Sequence, residues 1–217
     1  MVRGDSHGRL HGMLPEVRLL LERGAEGQPD AGEMLSPEQV FAELDRCARK
    51  FGYRKVRVSG NEPTLAPDHL MELISLAEEA GYLFILETNG ILVDRGLAEG
   101  LARFGNVHVR VSLKGTDEEE FSRLTGAVPE AFGLQLAALR NLLDAGVPCH
   151  PAVMLSFSPP DAVEGLRERL AEIDRDLAGA LEEEYVFLYP HVAERLRRAG
   201  LKPLVAFTPD GIPTEFV

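Results

Sequence analysis

Residues 82–87 read YLFILE and run directly into Thr88-Asn89-Gly90. A short, continuous apolar run closed by turn residues reads as a strand buried on both faces, the kind that parallel sheets contain. Upstream, Lys55–Ser59 (KVRVS) alternates, with Val56 and Val58 on one face. Between these two strands Pro67 and Asp68 open a helix that places Leu70, Leu73, Ile74 and Ala77 on one side and ends at Gly81. Ahead of them, Ser36-Pro37-Glu38-Gln39 is a helix start. Ser36 is the cap, Pro37 takes the first helical position, and Gln39 is placed to reach back to the cap. Val40, Phe41, Leu44 and Ala48 carry helical spacing to about Phe51, and Gly52 ends it.

The same cycle repeats downstream. The pattern predicts a helix over 95–104, a strand over Asn106–Leu113, helices over 117–124 and 129–145, and a strand over Cys149–Phe157 that Pro151 weakens at its start. A helix over 160–180, a strand over Tyr185–Tyr189 and a helix over 191–199 follow. Strands that alternate with helices through short loops predict a parallel sheet built by right-handed crossovers. An incomplete barrel and an open doubly wound sheet both fit. Either one places a ligand site beyond the C-terminal ends of the strands.

Three stretches follow from this pattern. Residues 1–34 carry scattered Gly and Arg, and only Leu14–Arg23 has the spacing of a short helix. Two readings stay open for them: a poorly ordered arm, or sequence from a wrong start site or shifted frame. Residues 35–200 are the β/α domain, and 201–217, with three prolines, are a tail or surface strap.

Bulk properties narrow the function. With 23 basic and 35 acidic residues the net charge is −12, which disfavours nucleic acid as a partner. No apolar run approaches the ~18 residues of a membrane span, and no signal-peptide pattern is present. Cys47 and Cys149 are the only cysteines, too few for a disulfide framework, which with the missing signal predicts a cytoplasmic protein. Cys47 falls near the apolar face of the first helix and reads as core. Cys149 and His150, at the N-terminal end of a strand, read as packing residues.

The strand ends carry the candidate chemistry. The first runs Ser59-Gly60-Asn61-Glu62-Pro63-Thr64: Gly60 allows close backbone approach, Glu62 offers a carboxylate for an ammonium group, and Pro63 fixes the turn. Thr88 and Asn89 offer donors and acceptors for hydroxyls or a carboxylate. Ser112 and Lys114 end the third strand, where Lys114 suits a carboxylate or phosphate. His191, after Tyr189-Pro190, is placed to pack on a base or titrate near neutrality. The plainer reading of each alone is a turn, a solvated cation or a helix-start decoration.

Taken in order, VRVSGNEPTL, FILETNGIL, VHVRVSLKG and PAVMLSF, with a helix between each pair, resemble the radical S-adenosylmethionine (radical SAM) family. The series looks most like archaeal radical SAM domain proteins related to glycyl-radical-enzyme activases. The resemblance implies an incomplete parallel (β/α)6 barrel. It implies that Ser59–Pro63 stands where the family's Gly-Gly-Glu-Pro turn binds the amino group of S-adenosylmethionine, with Asn61 in place of the second Gly. Thr88 and Asn89 then fall where the family contacts ribose or carboxylate, Ser112 and Lys114 where it holds the ligand's polar end, and His191 near adenine. No catalytic residue is assigned.

The family carries Cys-x3-Cys-x2-Cys after its first strand, whose thiolates hold a [4Fe–4S] cluster. This chain has no cysteine before Cys47, and residues 1–34 occupy that place, so the first strand and cluster loop are expected to be missing or degenerate and no metal ligands are expected. The parent activity implied is reductive cleavage of S-adenosylmethionine to a radical that abstracts hydrogen from a substrate or partner protein, with an electron donor as a further partner. Two alternatives remain: a cluster-less S-adenosylmethionine or nucleotide module, and an unrelated β/α enzyme using Glu62 and Lys114 for proton transfer.

Overall fold

The computed structural model describes residues 35–209. The first helix, α1 (Pro37–Phe51), begins as its sequence predicts. Ser36 Oγ accepts from Gln39 N at 3.3 Å, and Gln39 Oε1 accepts from Ser36 N at 2.8 Å. Gly52 closes it in the left-handed region. Then follow β1 (Lys55–Val58), a short helical turn (Pro63–Leu65), α2 (Pro67–Glu79), β2 (Leu83–Thr88), α3 (Arg95–Leu101), β3 (Val107–Leu113), α4 (Glu118–Thr125), α5 (Ala131–Asp144) and β4 (Cys149–Met154). The chain continues through α6 (Pro160–Ile173), α7 (Arg175–Gly179), β5 (Glu182–Glu184), β6 (Val186–Phe187), α8 (Pro190–Ala199) and β7 (Ala206–Phe207).

The main sheet has the order β1-β2-β3-β4-β5. β1 pairs with β2 in parallel, Val56 opposite Phe84, and β2 with β3, Glu87 opposite Arg110. A doubly wound sheet must reverse its strand order at a switch point. This one never reverses, so the topology is that of an incomplete parallel β/α barrel. Residues 1–34, where the first strand and cluster loop are expected to be missing or degenerate and where the short helix at 14–23 is expected, fall outside the described residues. Among the described residues no helix is long and apolar enough to cross a membrane.

The described residues form two compact bodies, one from 35–112 with 134–151 and one from 113–133 with 152–209. In the first, β2 alternates: Phe84, Leu86 and Thr88 are buried, while Leu83, Ile85 and Glu87 are half-buried. This corrects the expectation of burial on both faces. One face of the sheet meets Leu70, Leu73, Ile74 and Ala77, all buried on α2 as predicted, and the other carries the less buried positions. Cys47 is exposed, because α1 turns its buried position to Ala48, one residue further round the helix.

On the less buried face, His108 Nε2 and His150 Nδ1 lie 2.6 Å apart. Burial first, then His150 and Lys55, pushes the His108 pKa below the ordinary histidine value. The fold therefore binds that proton less tightly than the unfolded chain, whose histidine titrates near pH ~6.5. Stability is full above that pH and falls as the pH drops from there through the depressed folded value. Thermal melts at pH 7.5 and 5.5 should show a larger loss for wild type than for His108→Gln. An equal loss in both would remove the pair as the cause.

In the second body, Glu182–Glu184 pairs with Ala152–Met154 as the fifth strand, and the predicted strand Tyr185–Tyr189 does not take that place. Val186 and Phe187 pair instead with Ala206 and Phe207 in a separate two-stranded sheet. The apolar segment is used as core: Val186 joins Leu124, Met154, Phe157, Val192, Leu196 and Leu201. Glu182 and Glu183 are exposed, which an edge strand tolerates because it needs backbone pairing on one side only. The helix predicted over 160–180 breaks at Asp174, whose backbone is extended and whose carboxylate accepts from Asp176 N at 2.8 Å.

Candidate functional site

β1 ends where Ser59, Gly60 and Asn61 are exposed and Glu62 turns inward. The Glu62 carboxylate is the centre of a four-bond knot. Its Oε1 accepts from Thr64 N at 3.1 Å, Thr64 Oγ1 at 2.6 Å and Thr88 Oγ1 at 2.7 Å, and its Oε2 accepts from Asn89 N at 2.7 Å. One side chain thus joins the turn after β1 to the end of β2, with three of the four bonds on Oε1 and one on Oε2. Pro63 starts the short helical turn for which Glu62 is the cap. Ser59, Asn61, Glu62 and Pro63 line a cavity of about 280 Å³ whose far wall includes His69 and Leu70.

The end of β2 is equally occupied. Thr88 Oγ1 accepts from Gly90 N at 3.0 Å while donating to Glu62, and Asn89 Oδ1 accepts from Ile91 N at 2.9 Å. The turn at 59–61 that the knot holds is exposed along its length. Gly60 lies at φ 118° with no atom within 4 Å of where a Cβ would stand. That leaves open backbone at Gly60, which a ligand can approach closely.

Sequence reasoning missed two groups in this body. Gln135, fully buried on α5, donates from Nε2 to Asn89 O at 2.6 Å and to Ser112 O at 3.1 Å. Glu87 accepts from Arg110 Nη1 at 2.9 Å and from Arg57, which makes a charged row across β1, β2 and β3. The alternation of β1 and β3 could have exposed that row, since Arg57 and Arg110 both fall on the face opposite the valines.

Lys114 and His191 belong to the second body. Lys114 Nζ lies 3.8 Å from Glu184 Oε2, and His191 stacks on Tyr189 with ring centroids 5.9 Å apart. The next turn is organised by a carboxylate the sequence reading passed over. Glu120, only 7% exposed, accepts at Oε2 from Thr116 N (2.9 Å), Thr116 Oγ1 (2.9 Å) and Ser158 Oγ (2.7 Å), and at Oε1 from Arg123 (3.0 Å). It stands in a run of three glutamates, Glu118–Glu120, and nothing in the run itself marks which one turns inward.

The sequence of residues 17–170 matches the profile of the Radical SAM superfamily, most of the chain. The chain belongs to the radical SAM superfamily. That membership removes the reading as an unrelated β/α enzyme built on Glu62 and Lys114, each of which has its own internal partner here. Among curated radical SAM relatives, the probable GTP 3',8-cyclase of Saccharolobus solfataricus is 31% identical over 123 residues, 56% of this chain and 38% of that protein. The Fe-coproporphyrin III synthase of Methanosarcina barkeri is 37% identical over 115 residues, 52% of this chain and 27% of that protein. The chain thus spans well under half the length of these relatives. Among solved structures, Streptococcus suis SuiB bound to S-adenosylmethionine superposes with a TM-score of 0.58 at 17% identity, covering 87% of this chain and 49% of SuiB. That likeness supports the incomplete-barrel fold.

Radical SAM proteins use S-adenosylmethionine and a [4Fe–4S] cluster, and the two groups fit this chain differently. The exposed turn at 59–61 fits a ligand whose amino-acid end docks on backbone. The cluster does not fit the cysteines: the matched span holds only Cys47 and Cys149, one exposed on α1 and one half-buried at the start of β4 with its thiol 4.0 Å from Leu139 O. Two thiols at such unrelated places do not make a three-thiolate set.

Proposed function

We propose that the chain is the S-adenosylmethionine-binding part of a radical SAM protein and that, with this sequence, it binds that ligand without holding a cluster of its own. The parent reaction, in which one electron from an external donor cleaves S-adenosylmethionine to methionine and a 5′-deoxyadenosyl radical that takes hydrogen from a substrate or partner protein, is what the cluster supplies when bound. The observation that carries the proposal is the Glu62 knot, which fixes the exposed turn at 59–61 against the end of β2. In this reading the amino end of the ligand meets the backbone of Ser59, Gly60 and Asn61. Asn89 and Ser112, in the same body as that turn, are proposed to border the same site.

Calorimetric titration of the purified chain with S-adenosylmethionine tests the binding. A saturable signal with one site per chain is expected, and a flat titration at millimolar ligand would end the proposal. Anaerobic reconstitution with iron and sulfide tests the second half. The expected product has less than about one iron per chain and no thiolate-to-iron absorbance, because three thiolates are needed to hold a cuboidal cluster with an open iron. A stoichiometric cluster would return the chain to the full radical reaction.

A further inference from the structure

Gln135 is an unusual residue for its place. It sits at 0% exposure on α5, within the apolar run AFGLQLAALRNLL, where a leucine would fill the same space. Its Oε1 is buried with no hydrogen-bond partner among the described residues. Burying an amide oxygen without a donor is unfavourable, so its hydrogen-bonding contribution here comes from its nitrogen. Nε2 must be the atom facing Asn89 O and Ser112 O, since only a donor can face two carbonyl oxygens. Through those two bonds a single helix residue ties the end of β2 to the end of β3. Gly90, next to Asn89, is packed onto the same helix: a Cβ there would lie 3.5 Å from Gln135 Cα.

We propose that Gln135 is a positioning residue for the ligand site: it sets the spacing of the Asn89 and Ser112 backbones, and thereby the groups those residues present to S-adenosylmethionine. The proposal rests on the binding function argued above. Gln135 touches no ligand itself; it acts through two main-chain carbonyls.

Gln135→Glu and Gln135→Leu test it. Glutamate is near-isosteric but loses both donors when ionised and regains one when protonated, and burial favours the protonated form. By calorimetric titration, Gln135→Leu should bind S-adenosylmethionine at least 10-fold more weakly than wild type at pH 8 and at pH 6. Gln135→Glu, protonated in this buried place and so keeping one donor, should bind at least 5-fold more tightly than Gln135→Leu at pH 6. A space-filling role alone would not separate the two variants, so Gln135→Glu binding as weakly as Gln135→Leu at pH 6 overturns the proposal. So does Gln135→Leu binding within 2-fold of wild type. Hydrogen–deuterium exchange without ligand separates this from the parent reading. Faster exchange in Gln135→Leu confined to peptides covering 88–92 and 109–114 supports the positioning role even if wild type binds nothing. Unchanged exchange, or a rise spread over the whole chain, overturns it.

Discussion

Replacing Glu62 by alanine should lower the melting temperature by about 5–15 °C and abolish calorimetric binding of S-adenosylmethionine. The substitution removes one acceptor group and strands four donors at once: Thr64 N, Thr64 Oγ1, Thr88 Oγ1 and Asn89 N. Thr64 and Thr88 are 4% and 3% exposed, so water cannot freely replace the carboxylate at either hydroxyl. A hydrogen bond to a charged group contributes about 1.5–3 kcal/mol, more when its loss leaves a buried donor unpaired. The four share one anchor and Glu62 is only half-buried, so the sum is sub-additive, at roughly 2–4 kcal/mol. For a chain of this size each kcal/mol corresponds to about 2–4 °C. Glu62→Gln should fall between wild type and alanine: one amide oxygen keeps the threonines, while the amide nitrogen opposes the Asn89 N–H. If Glu62 served only as a ligand contact, removing its charge would leave the melting temperature unchanged or raised while binding fell. Thermal melts of both variants therefore distinguish a knot from a contact.

The knot also shows how far the sequence could be read. SGNEPT and ETNG disclosed which residue types meet at the strand ends, because turn residues and a lone carboxylate stand out against apolar strands. They did not disclose that the carboxylate and the hydroxyls would satisfy each other. Hydrogen-bond pairing depends on distances between segments 26 and 27 residues apart, and periodicity carries no information about those. The helix starts were legible because capping is local: Ser36 and Gln39 are three residues apart and find each other without any tertiary context.

The order of the sheet was legible in kind and ambiguous in detail for a similar reason. Alternating strands and helices specify parallel crossovers, but a barrel and a doubly wound sheet differ in which side each crossover takes, and no residue pattern in β1–β3 records that side. The fifth strand was misplaced because an apolar run was preferred over Glu182–Glu184. Parallel strands are usually apolar on both faces, whereas here the pairing partner of Ala152–Met154 lies at the sheet edge, and the apolar residues beyond it serve another core. Gln135 escaped notice because a single polar residue in a helix reads as part of the solvent face. Only the two carbonyls at Asn89 and Ser112 reveal why it points inward.

Gly90→Ala is the second change expected to have a large effect, and it separates two costs that coincide at one position. Gly90 has φ 79°, a left-handed conformation that costs an L-residue roughly 1–2 kcal/mol. An added Cβ would also stand 2.8 Å from Val111 Cγ1 and 3.2 Å from Ala138 Cβ, contacts that force strand β3 and helix α5 to give way. Overpacking of this kind costs about 1–3 kcal/mol. Together the two predict a loss of roughly 2–5 kcal/mol, a fall in melting temperature again near 5–15 °C. Gly52→Ala supplies the comparison, because Gly52 has φ 72° with nothing within 4 Å of its Cβ position and so bears the conformational cost alone. Its melting temperature should drop by only a few degrees. In a double-mutant cycle, Val111→Ala should relieve the clash, so that Gly90→Ala/Val111→Ala is less destabilised than the sum of its single changes by at least ~1 kcal/mol. Strict additivity would show that the methyl of Val111 is not the obstacle. Since Gly90 adjoins the Asn89 carbonyl that Gln135 holds, the displacement that admits the methyl should also loosen that bond. Gly90→Ala should accordingly weaken S-adenosylmethionine binding, whereas Gly52→Ala, at the far end of α1 from the turn at 59–61, should leave it within 2-fold of wild type.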